Sequence, residues 1–499
     1  MLDKIKRLGT DTAVYGVSTI VGRFLTFFLT PFYTHLLAPG ELGVVATVYA
    51  YLAFLNIVYG YGMESAYMKY VATLEIGDRK QNFAVPFLSV CGTSLALSLI
   101  ILAATGPVMG WARIPESHGT IVMWSAGILF FDAVALIPFA CLRMERKAVR
   151  FAAIKLANIV INVGCNVFFL LRYHMGVEGI FISGAISSAA TVVLVLPTIL
   201  NHLTSRWSGS LYAALLRFGL PYVPAGLAAM MIQVIDRPIL ESLTSPAVVG
   251  VYQANYRLGI FMMLVVSMYD FAWRPFFLSH AADADAKPLF ARILTYFILL
   301  MTALFLALSF FLADIVRLPL FWGHALIAPA YWAGLNIVPV VLLAYVFLGI
   351  YNNLVAGIYI QKKTKHLPLI TFAGAAANVV VNYLLIPEFG MMGAAIATLV
   401  SYALMAAVLY VSVQRFYPVL YEWKRIARII AAAGIVYLLF VFVDVGPYEA
   451  VWKAGLLLLF GLLVYWMHFF EPGELRGLAL TLKGTQASQP GIDAPLEEP

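Results

Sequence analysis

Residues 236–257 read DRPILESLTSPAVVGVYQANYR, and several positions in and beside this stretch recur 207 positions earlier in the chain. The identities at that offset include seven that we single out, and Pro or Gly accounts for three of these. The pairs are Tyr222 with Tyr15, Pro238 with Pro31, Pro246 with Pro39, Gly250 with Gly43, Val251 with Val44, Tyr256 with Tyr49 and Phe261 with Phe54. Apolar composition alone does not explain Pro and Gly at fixed spacing. The sequence therefore predicts a duplicated chain.

The composition is that of an integral membrane protein. Hydrophobic residues make up 62% of the 499 residues, charged residues only 11%, and the mean hydropathy is +0.90. A water-soluble globule of this size could not cover its surface with so few charges. Cys91, Cys141 and Cys165 lie singly inside apolar runs without the spacing of metal ligands, so we expect them to pack. Neither a cofactor nor a metal site is predicted.

The apolar segments predict an all-α polytopic membrane protein with fourteen spans, each about 20 residues or longer and able to cross about 30 Å of hydrocarbon as a helix. The segments are 12–37, 42–63, 83–107, 119–142, 151–171, 178–200, 213–236, 247–273, 289–313, 328–352, 367–387, 391–413, 425–444 and 449–470. The repeat groups them into an N-lobe (1–207, spans 1 to 6) and a C-lobe (208–420, spans 7 to 12). Two further spans (421–470) and a polar tail (471–499), expected to be disordered, complete the chain.

Loop charges predict the orientation. With the N-terminus in the cytoplasm, 25 of the 32 Lys and Arg residues fall on the cytoplasmic side and two, Arg23 and Arg257, inside spans. The remaining five, on the external side, are Arg113, Arg172, Arg237, Arg317 and Lys453. Both termini are therefore expected in the cytoplasm, in a multi-pass protein of the inner membrane. Topology and anionic lipid account for the net charge of +7, so no nucleic acid partner is predicted.

Each predicted lobe contains six spans, an even number, so both lobes insert with the same orientation. A pseudo-twofold axis along the membrane normal should relate them, as in transporters built from parallel repeats. Binding sites in such proteins lie between the repeats near the bilayer midplane.

Arg23 and Arg257 are the first candidates for binding a ligand, because each lies deep within a span of a different lobe. Arg257 lies about ten residues, or roughly 15 Å, inside its apolar run. A central arginine facing lipid costs roughly 2.5–3.5 kcal/mol, so both must face protein, water or a ligand. The guanidinium fork suits phosphate oxygens. We expect an anion site between the lobes; the alternative for Arg23 is an ion pair with Asp132, midway along span 4.

Other charges near span ends are candidates for gating or coupling. Asp270 and Arg274 stand four residues apart, which predicts an ion pair on one helix face or an inner gate. Asp236 and Arg237 are adjacent and should not face each other, so capping, interfacial anchoring and gating all remain open. Glu64 and Lys69, at the inner end of span 2, are expected to be solvated or to contact an entering headgroup. Asp132 could couple transport to protons or sodium.

Polar and aromatic residues on the predicted cavity helices form a further group. Asn158, Asn162 and Asn166 recur at helical spacing in span 5, which predicts interhelical hydrogen bonds or a face turned toward substrate. Asn378 and Asn382 repeat the pattern in span 11. Candidate substrate contacts on spans 2 and 8 are Tyr49, Tyr256, Gln253 and Asn255.

Several local strings resemble one family, the polysaccharide (O-antigen type) flippases of the multidrug, oligosaccharidyl-lipid and polysaccharide exporter superfamily. The strings are TPFYTHLLAPGELGVVATVYAYLAFL from Thr30, DRPILESLTSPAVVGVYQANYRLG from Asp236, WRPFF from Trp273 and QKKTKHLPLITFAGAAANVVVNYLLIPEFGMMGAAIATLVSY from Gln361. The resemblance covers about residues 8–420. It implies two six-helix lobes around a central cavity lined by spans 1, 2, 7 and 8.

The same resemblance implies a transporter, not an enzyme. Its substrate would be an undecaprenyl-pyrophosphate-linked oligosaccharide, flipped from the inner to the outer leaflet by alternating access during surface polysaccharide or exopolysaccharide synthesis. Membrane lipids, a polysaccharide polymerase and export proteins are the implied partners. The alternatives are a drug or cation exporter of the same superfamily, and a membrane-bound glycan ligase or polymerase. No loop exceeds about twenty residues, which disfavours the last of these.

Overall fold

The computed structural model describes residues 20–22 and 24–470. Arg23 and the tail 471–499 lie outside the described residues. The α-helices run as α1 Leu29–Leu36, α2 Pro39–Gly60, α3 Met63–Thr73, α4 Arg79–Ala103, α5 Thr105–Trp111, α6 Thr120–Met144, α7 Ala148–Arg172, α8 Gly176–His202, α9 Gly209–Gly219, α10 Tyr222–Val234, α11 Asp236–Leu243, α12 Pro246–Tyr256, α13 Ile260–Ser279, α14 Ala286–Arg317, α15 Val338–Ile360, α16 His366–Phe389, α17 Met391–Gln414, α18 Trp423–Phe442 and α19 Glu449–Trp466. Short 3-10 turns cover Glu116–His118, Arg257–Gly259, Pro329–Ile337 and Gly446–Tyr448.

The predicted fold class is confirmed. Within the described residues, 13 helical segments are long and apolar enough to cross a membrane, and they correspond in order to predicted spans 2 to 14. The described part of span 1, which includes α1, is also largely helical. The lobe boundaries remain predictions.

The repeated prolines and glycines mark helix starts and breaks. Pro39 and Pro246 each occupy the first turn of their helix, where the missing N–H costs nothing. The carboxylate of Glu41 accepts the backbone N–H of Ala38 at 2.8 Å and completes the start of α2. Gly62 separates α2 from α3 at φ +76°, a left-handed conformation that favours glycine.

The chain divides into two compact units. The first comprises residues 1–290 and 311–419, and within it α2 packs on α12, α6 and α7 pack on α8, and α15 and α16 pack on α17. The second comprises residues 291–310 and 420–499. Inside the second unit, the Arg425 guanidinium lies over the Phe469 ring at 4.5 Å and pairs with Glu422, so a buried cation ties the start of α18 to the end of the last span.

Within the first unit, the two halves of the repeat meet at both sides of the bundle. We call the side carrying Pro39 and Pro246 the outer side, and the side carrying Gly62 and Gly219 the inner side, following the predicted orientation. On the outer side, Tyr331 donates its hydroxyl hydrogen to the Leu37 carbonyl at 2.9 Å. On the inner side, the backbones of Gly62 and Gly219 approach so closely that a Cβ on Gly62 would lie 2.0 Å from the Gly219 oxygen.

Candidate functional site: a cationic cavity and its polar recess

A cavity of about 600 Å³ lies between the two halves of the repeat, inside the first unit. Its lining comes from the described part of span 1, from α7 in the N-terminal half, and from α11, α12, α13 and α15 in the C-terminal half. Among the described residues, three cationic side chains line it: Lys155, Arg237 and Arg257. The cavity therefore combines an apolar wall with a concentration of positive charge.

Arg257 reaches across the interface between the halves. Its Nη1 donates a hydrogen bond to the Thr30 hydroxyl of α1 at 3.2 Å. Among the described residues no carboxylate lies within ion-pair distance of this guanidinium. Its charge is therefore not compensated by a neighbouring acid in the described part of the chain, and its remaining donors are available to an anion in the cavity.

Arg237 is buried in the same cavity wall, with its charge compensated. Its Nη1 lies 2.5 Å from Oδ1 of Asp236, its Nε donates to Oε1 of Gln253 at 3.0 Å, and its guanidinium lies 4.3 Å from the Tyr256 ring centroid. The expectation that Asp236 and Arg237 do not face each other is wrong. These residues begin α11, where the long arginine side chain folds back onto the preceding carboxylate instead of projecting along a continuous helix face.

Lys155, on α7, is the cavity cation that the sequence analysis did not single out. Its Nζ lies 4.4 Å from the Phe139 ring centroid, and the side chain is accessible from the cavity. In the sequence, Lys155 lies near the start of span 5 and looks like one more basic residue on the cytoplasmic side. Only the tertiary packing, which turns this face of α7 toward Arg257, distinguishes it from the surface cations.

A second cavity, which we call the N-recess, lies in the N-terminal half and has a volume of about 670 Å³. Lys155 and Phe151 line both the N-recess and the central cavity. The N-recess is rich in amides and hydroxyls and contains the carboxylate of Asp132, which accepts a hydrogen bond from Ser188 at 2.7 Å.

The asparagine stripe of span 5 contributes to this recess and also holds helices together. Asn158 donates to the Ser187 carbonyl and the Thr191 hydroxyl, both at 2.9 Å, and Asn162 donates to the Ser187 hydroxyl at 3.2 Å. Asn166 is fully buried and accepts the Tyr33 hydroxyl hydrogen at 2.8 Å. All three asparagines thus form interhelical hydrogen bonds, and Asn158 and Asn162 also line the N-recess.

A third cavity of about 560 Å³, the C-recess, lies in the C-terminal half and differs in chemistry. Tyrosines and aliphatic or methionine side chains dominate its wall, and its one carboxylate, Asp270, pairs with Arg274 at 3.0 Å as the i, i+4 spacing predicts. The corresponding asparagines of span 11, Asn378 and Asn382, are fully buried and bond to each other at 2.8 Å. The two recesses are therefore not chemically equivalent.

The remaining candidates separate into cavity-lining and structural positions. Tyr256 and Gln253 line the central cavity, and Tyr49 lines the N-recess with its ring stacked on Phe181. Asn255 is fully buried and donates to the Val251 and Tyr331 carbonyls at 2.8 Å, so it fixes the 3-10 turn that precedes α15.

The inner-side candidates, Glu64 and Lys69, contact protein. Glu64 forms an ion pair with Arg143 at the edge of the N-recess. The Lys69 Nζ lies 4.6 Å from the ring centroid of Phe218, in the opposite half. Together with the approach of Gly62 to Gly219, this contact closes the inner side of the bundle around α3 and α9. Arg23 lies outside the described residues, so its predicted role stays a prediction.

Comparison with known proteins places this arrangement in a known fold. Residues 33–269 match the model of a family described as polysaccharide biosynthesis proteins. The comparison with curated proteins gave no significant match in sequence.

Solved structures resemble the chain over most of its length. The structure of lipid II flippase MurJ in an inward closed conformation has a TM-score of 0.71 at 16% identity, covering 90% of this chain and 98% of that one. An inward-facing multidrug resistance MATE family transporter of the MOP superfamily has a TM-score of 0.63 at 14% identity, covering 79% and 94%. A MOP superfamily transporter from Pyrococcus furiosus has a TM-score of 0.60 at 12% identity, covering 82% and 95%. At these identities the likeness concerns the fold. The fold and the family match over residues 33–269 agree with the resemblance to flippases of this superfamily that was found in the sequence.

Proposed function

We propose that this protein is a transporter of the MOP superfamily and that it flips a polyprenyl-diphosphate-linked oligosaccharide from the inner to the outer leaflet of the cytoplasmic membrane. The observation that carries the proposal is the pair Lys155 and Arg257, which lines a cavity between the halves and forms no ion pair with an acid in the described part of the chain. Arg257 has no acid beside it among the described residues, and Lys155 feels the charge of Asp132 without forming an ion pair with it, so the cavity keeps a positive balance that favours an anion. A diphosphate supplies two adjacent anionic groups for two cations from opposite halves.

The physical problem of this reaction is the headgroup, since sugars and a diphosphate lose their hydration in hydrocarbon. Burying a polar group without a partner costs several kcal/mol, and burying a charge costs more. Cationic and hydroxyl-rich walls replace the lost water contacts and lower that barrier. The polyprenyl tail remains in lipid, because an apolar chain has no hydration to lose there. No covalent bond is made or broken.

Alternating access supplies the movement. The two halves meet at the outer contact between α2 and α12 and at the inner contact between Gly62 and Gly219, so each contact would open in turn for a headgroup to enter and leave the central cavity. Arg23 belongs to this proposal as a further phosphate contact, since its sequence neighbour Gly22 and the nearby Thr26 line the cavity.

The location and partners follow the same reasoning. The bias of Lys and Arg toward one set of loops supports an orientation with both termini in the cytoplasm. The substrate supports a place in the cytoplasmic membrane beside enzymes of surface polysaccharide or exopolysaccharide synthesis, including a polymerase and export proteins.

A drug or cation exporter of the same superfamily is the second candidate, and Asp132 is the observation that favours it. This carboxylate is accessible in the N-recess, and its hydrogen-bond partner among the described residues is the neutral Ser188. In the flippase, the same carboxylate would serve as a coupling site for protons or sodium.

Complementation of a flippase-deleted strain that makes a defined glycan tests the proposal. The wild-type chain should restore surface polysaccharide, whereas Arg23→Ala and Arg257→Ala, produced at normal levels, should leave lipid-linked oligosaccharide on the inner leaflet. Arg217→Ala is the matched control, because Arg217 is an exposed arginine on α9 outside the cavity lining. Normal surface polysaccharide from Arg257→Ala would contradict the anion site. Drug resistance without glycan export would favour the exporter.

A further inference from the structure

We infer that the N-recess is the sugar-binding part of the transport site, and that it recognises the hydroxyl groups of the first sugars attached to the diphosphate. This inference rests on the proposed function and deepens it. It assigns the two chemical parts of the headgroup to two adjoining cavities, with the diphosphate in the central cavity and the sugars in the N-recess.

The first argument is continuity. Lys155 and Phe151 line both cavities, so the N-recess adjoins the central cavity beside a cation, and Arg257 lines that cavity from the other half of the repeat. A diphosphate held by Lys155 and Arg257 would direct its attached sugars into the neighbouring space. At about 670 Å³ the N-recess lies within the roughly 300–1,000 Å³ typical of ligand pockets.

The second argument is the set of polar atoms left without protein partners. Asn56 lines the recess, is exposed within a membrane-spanning helix, and forms no side-chain hydrogen bond to any described residue. In the part of the chain that the structure describes, the Tyr49 hydroxyl, the second carboxylate oxygen of Asp132 and the amide oxygen of Asn158 also lack a hydrogen-bond partner. Polar atoms in a membrane-embedded cavity need water or a ligand as partners.

The third argument is charge. Four charged side chains among the described residues line the recess; Arg143 pairs with Glu64, and Lys155 stands at the boundary with the central cavity. The fourth, the Asp132 carboxylate, would repel a diphosphate, whereas it accepts hydrogen bonds from sugar hydroxyls. Hydroxyl groups both donate and accept, and the recess offers both kinds of partner: amide N–H donors on Asn56, and oxygen acceptors on Asp132 and Asn158. A neutral polyhydroxylated group therefore matches this recess better than an anion does.

The C-recess provides an internal comparison. It also adjoins the central cavity, with which it shares Tyr256, Met263 and Tyr345, so continuity alone does not separate the two recesses. Chemistry does: the C-recess contains the amide of Asn352, also without a side-chain hydrogen bond among the described residues, but it is lined mainly by tyrosines and apolar side chains, and its acid is already paired with Arg274. A duplicated chain whose two recesses have diverged in this way suits a substrate that is polar on one side only.

Binding to the full-length protein in lipid nanodiscs tests the inference with two radiolabelled probes, undecaprenyl diphosphate and GlcNAc-diphosphoundecaprenol. The wild type should bind the sugar-bearing probe at least about fivefold more tightly, the equivalent of one net hydrogen bond of about 1 kcal/mol. Asn56→Leu should remove that preference and leave the affinity for undecaprenyl diphosphate unchanged. The matched control Asn352→Leu should retain it.

The outcomes separate the two proposals. Arg257→Gln should weaken both probes alike, because it acts on the shared diphosphate. Equal binding of both probes by the wild type, or an unchanged preference in Asn56→Leu, would overturn the sugar assignment and leave the flippase proposal standing. Failure of the wild type to bind either probe would overturn both. A sodium-dependent change in Asn56→Leu with no change in sugar preference would assign the recess to a cation instead.

Discussion

Gly43 and Gly250 are reciprocal contact points between the two halves of the repeat. A Cβ on Gly43 would lie 1.8 Å from the carbonyl oxygen of Pro246, and a Cβ on Gly250 would lie 1.8 Å from that of Pro39. Each glycine thus receives the start of the opposite helix, and each of those helices starts at the proline four residues before its own glycine. The outer closure is built from backbone contacts that tolerate no side chain.

Replacing either glycine with alanine should weaken outer closure. Gly43→Ala and Gly250→Ala should each shift the population toward an outward-open state, because the added methyl group meets backbone that cannot rotate away. A shift of roughly 1.4 kcal/mol would raise the open fraction about tenfold. The readout is labelling of Ile260→Cys, a cavity position, by an impermeant thiol reagent added outside, in a chain whose native cysteines are replaced by alanine.

Gly40→Ala is the matched control for this experiment. Gly40 lies in the same first turn of α2, yet a Cβ there would meet nothing within 4 Å. Labelling should therefore equal that of the parent chain, after normalisation to the monodisperse fraction. Equal labelling in all three variants would show that the α2–α12 contact does not govern outer access.

The inner side gives the opposite prediction. Gly62→Ala combines a positive φ of +76° with a contact 2.0 Å from the Gly219 oxygen, so it should open the inner side and raise labelling of the same cavity cysteine in inverted vesicles. Gly127→Ala, within α6 and with nothing within 4 Å of its Cβ, should change neither direction of labelling. Increased labelling from the outer side alone would contradict the assignment of Gly62 to the inner closure.

Much of this arrangement follows from sequence, and the limit of prediction has a physical cause. Four residues are recognisable in the sequence by their shared offset, because the contact that they form involves only two short motifs. They are Pro39, Gly43, Pro246 and Gly250. Lys155 has no such pattern around it. In the sequence it is a basic residue near the start of a helix, and its role depends on which face of α7 turns inward. Long-range packing, not local pattern, decides that orientation.

The predicted pairing of charges shows the same division. Asp270 and Arg274 pair as the helical repeat of one continuous helix requires. Asp236 and Arg237 pair against that expectation, because a new helix begins at Asp236 and frees the arginine from the geometry of the preceding span. Where the backbone is regular, spacing is a sufficient guide; at helix junctions it is not.

Lys155→Gln should reduce glycan export about tenfold or more while leaving the protein folded. Loss of one charge-assisted hydrogen bond to phosphate is worth roughly 1.5–3 kcal/mol, and the glutamine keeps most of the side-chain volume. Lys147→Gln is the control, since Lys147 pairs with Glu145 at 2.9 Å outside the central cavity lining. Export rates in proteoliposomes measure the difference. Equal losses in both variants would indicate a general effect of positive charge on the inner side.

Asp236→Asn should destabilise the protein strongly, because it leaves the buried Arg237 guanidinium without its counter-charge. Asp236 is 1% exposed and Arg237 6% exposed, and breaking one partner of a buried pair costs roughly 3–5 kcal/mol. Thermal unfolding in detergent should show a clear drop in Tm. The single variant Asp236→Leu should lower the Tm in the same way. The double variant Asp236→Leu with Arg237→Leu should have a higher Tm than Asp236→Leu alone. A double variant less stable than both single variants would contradict this account.

We expect outer closure to depend on pH through Glu241. This carboxyl is 5% exposed on α11, which packs on α2, and the neighbouring Ser242 carbonyl accepts a hydrogen bond from Arg113 at 3.1 Å. Burial raises the pKa of Glu241 above its ordinary value of 4.5, against the opposing effects of Thr47 and Arg113. The closed state therefore holds the proton more tightly than an open state in which the carboxyl is hydrated.

The sign of the dependence follows from linkage. Because the closed-state pKa is raised, the stabilisation of closure is complete below about pH 4.5 and is lost as the pH rises through the closed-state pKa of Glu241. Outside labelling of the cavity cysteine should therefore increase with pH in the parent chain. Glu241→Gln, which mimics the protonated side chain, should keep labelling low and flat, whereas Glu116→Gln, at an exposed acid on the same side, should retain the parent profile. A pH profile that persists in Glu241→Gln would assign the titration to another group.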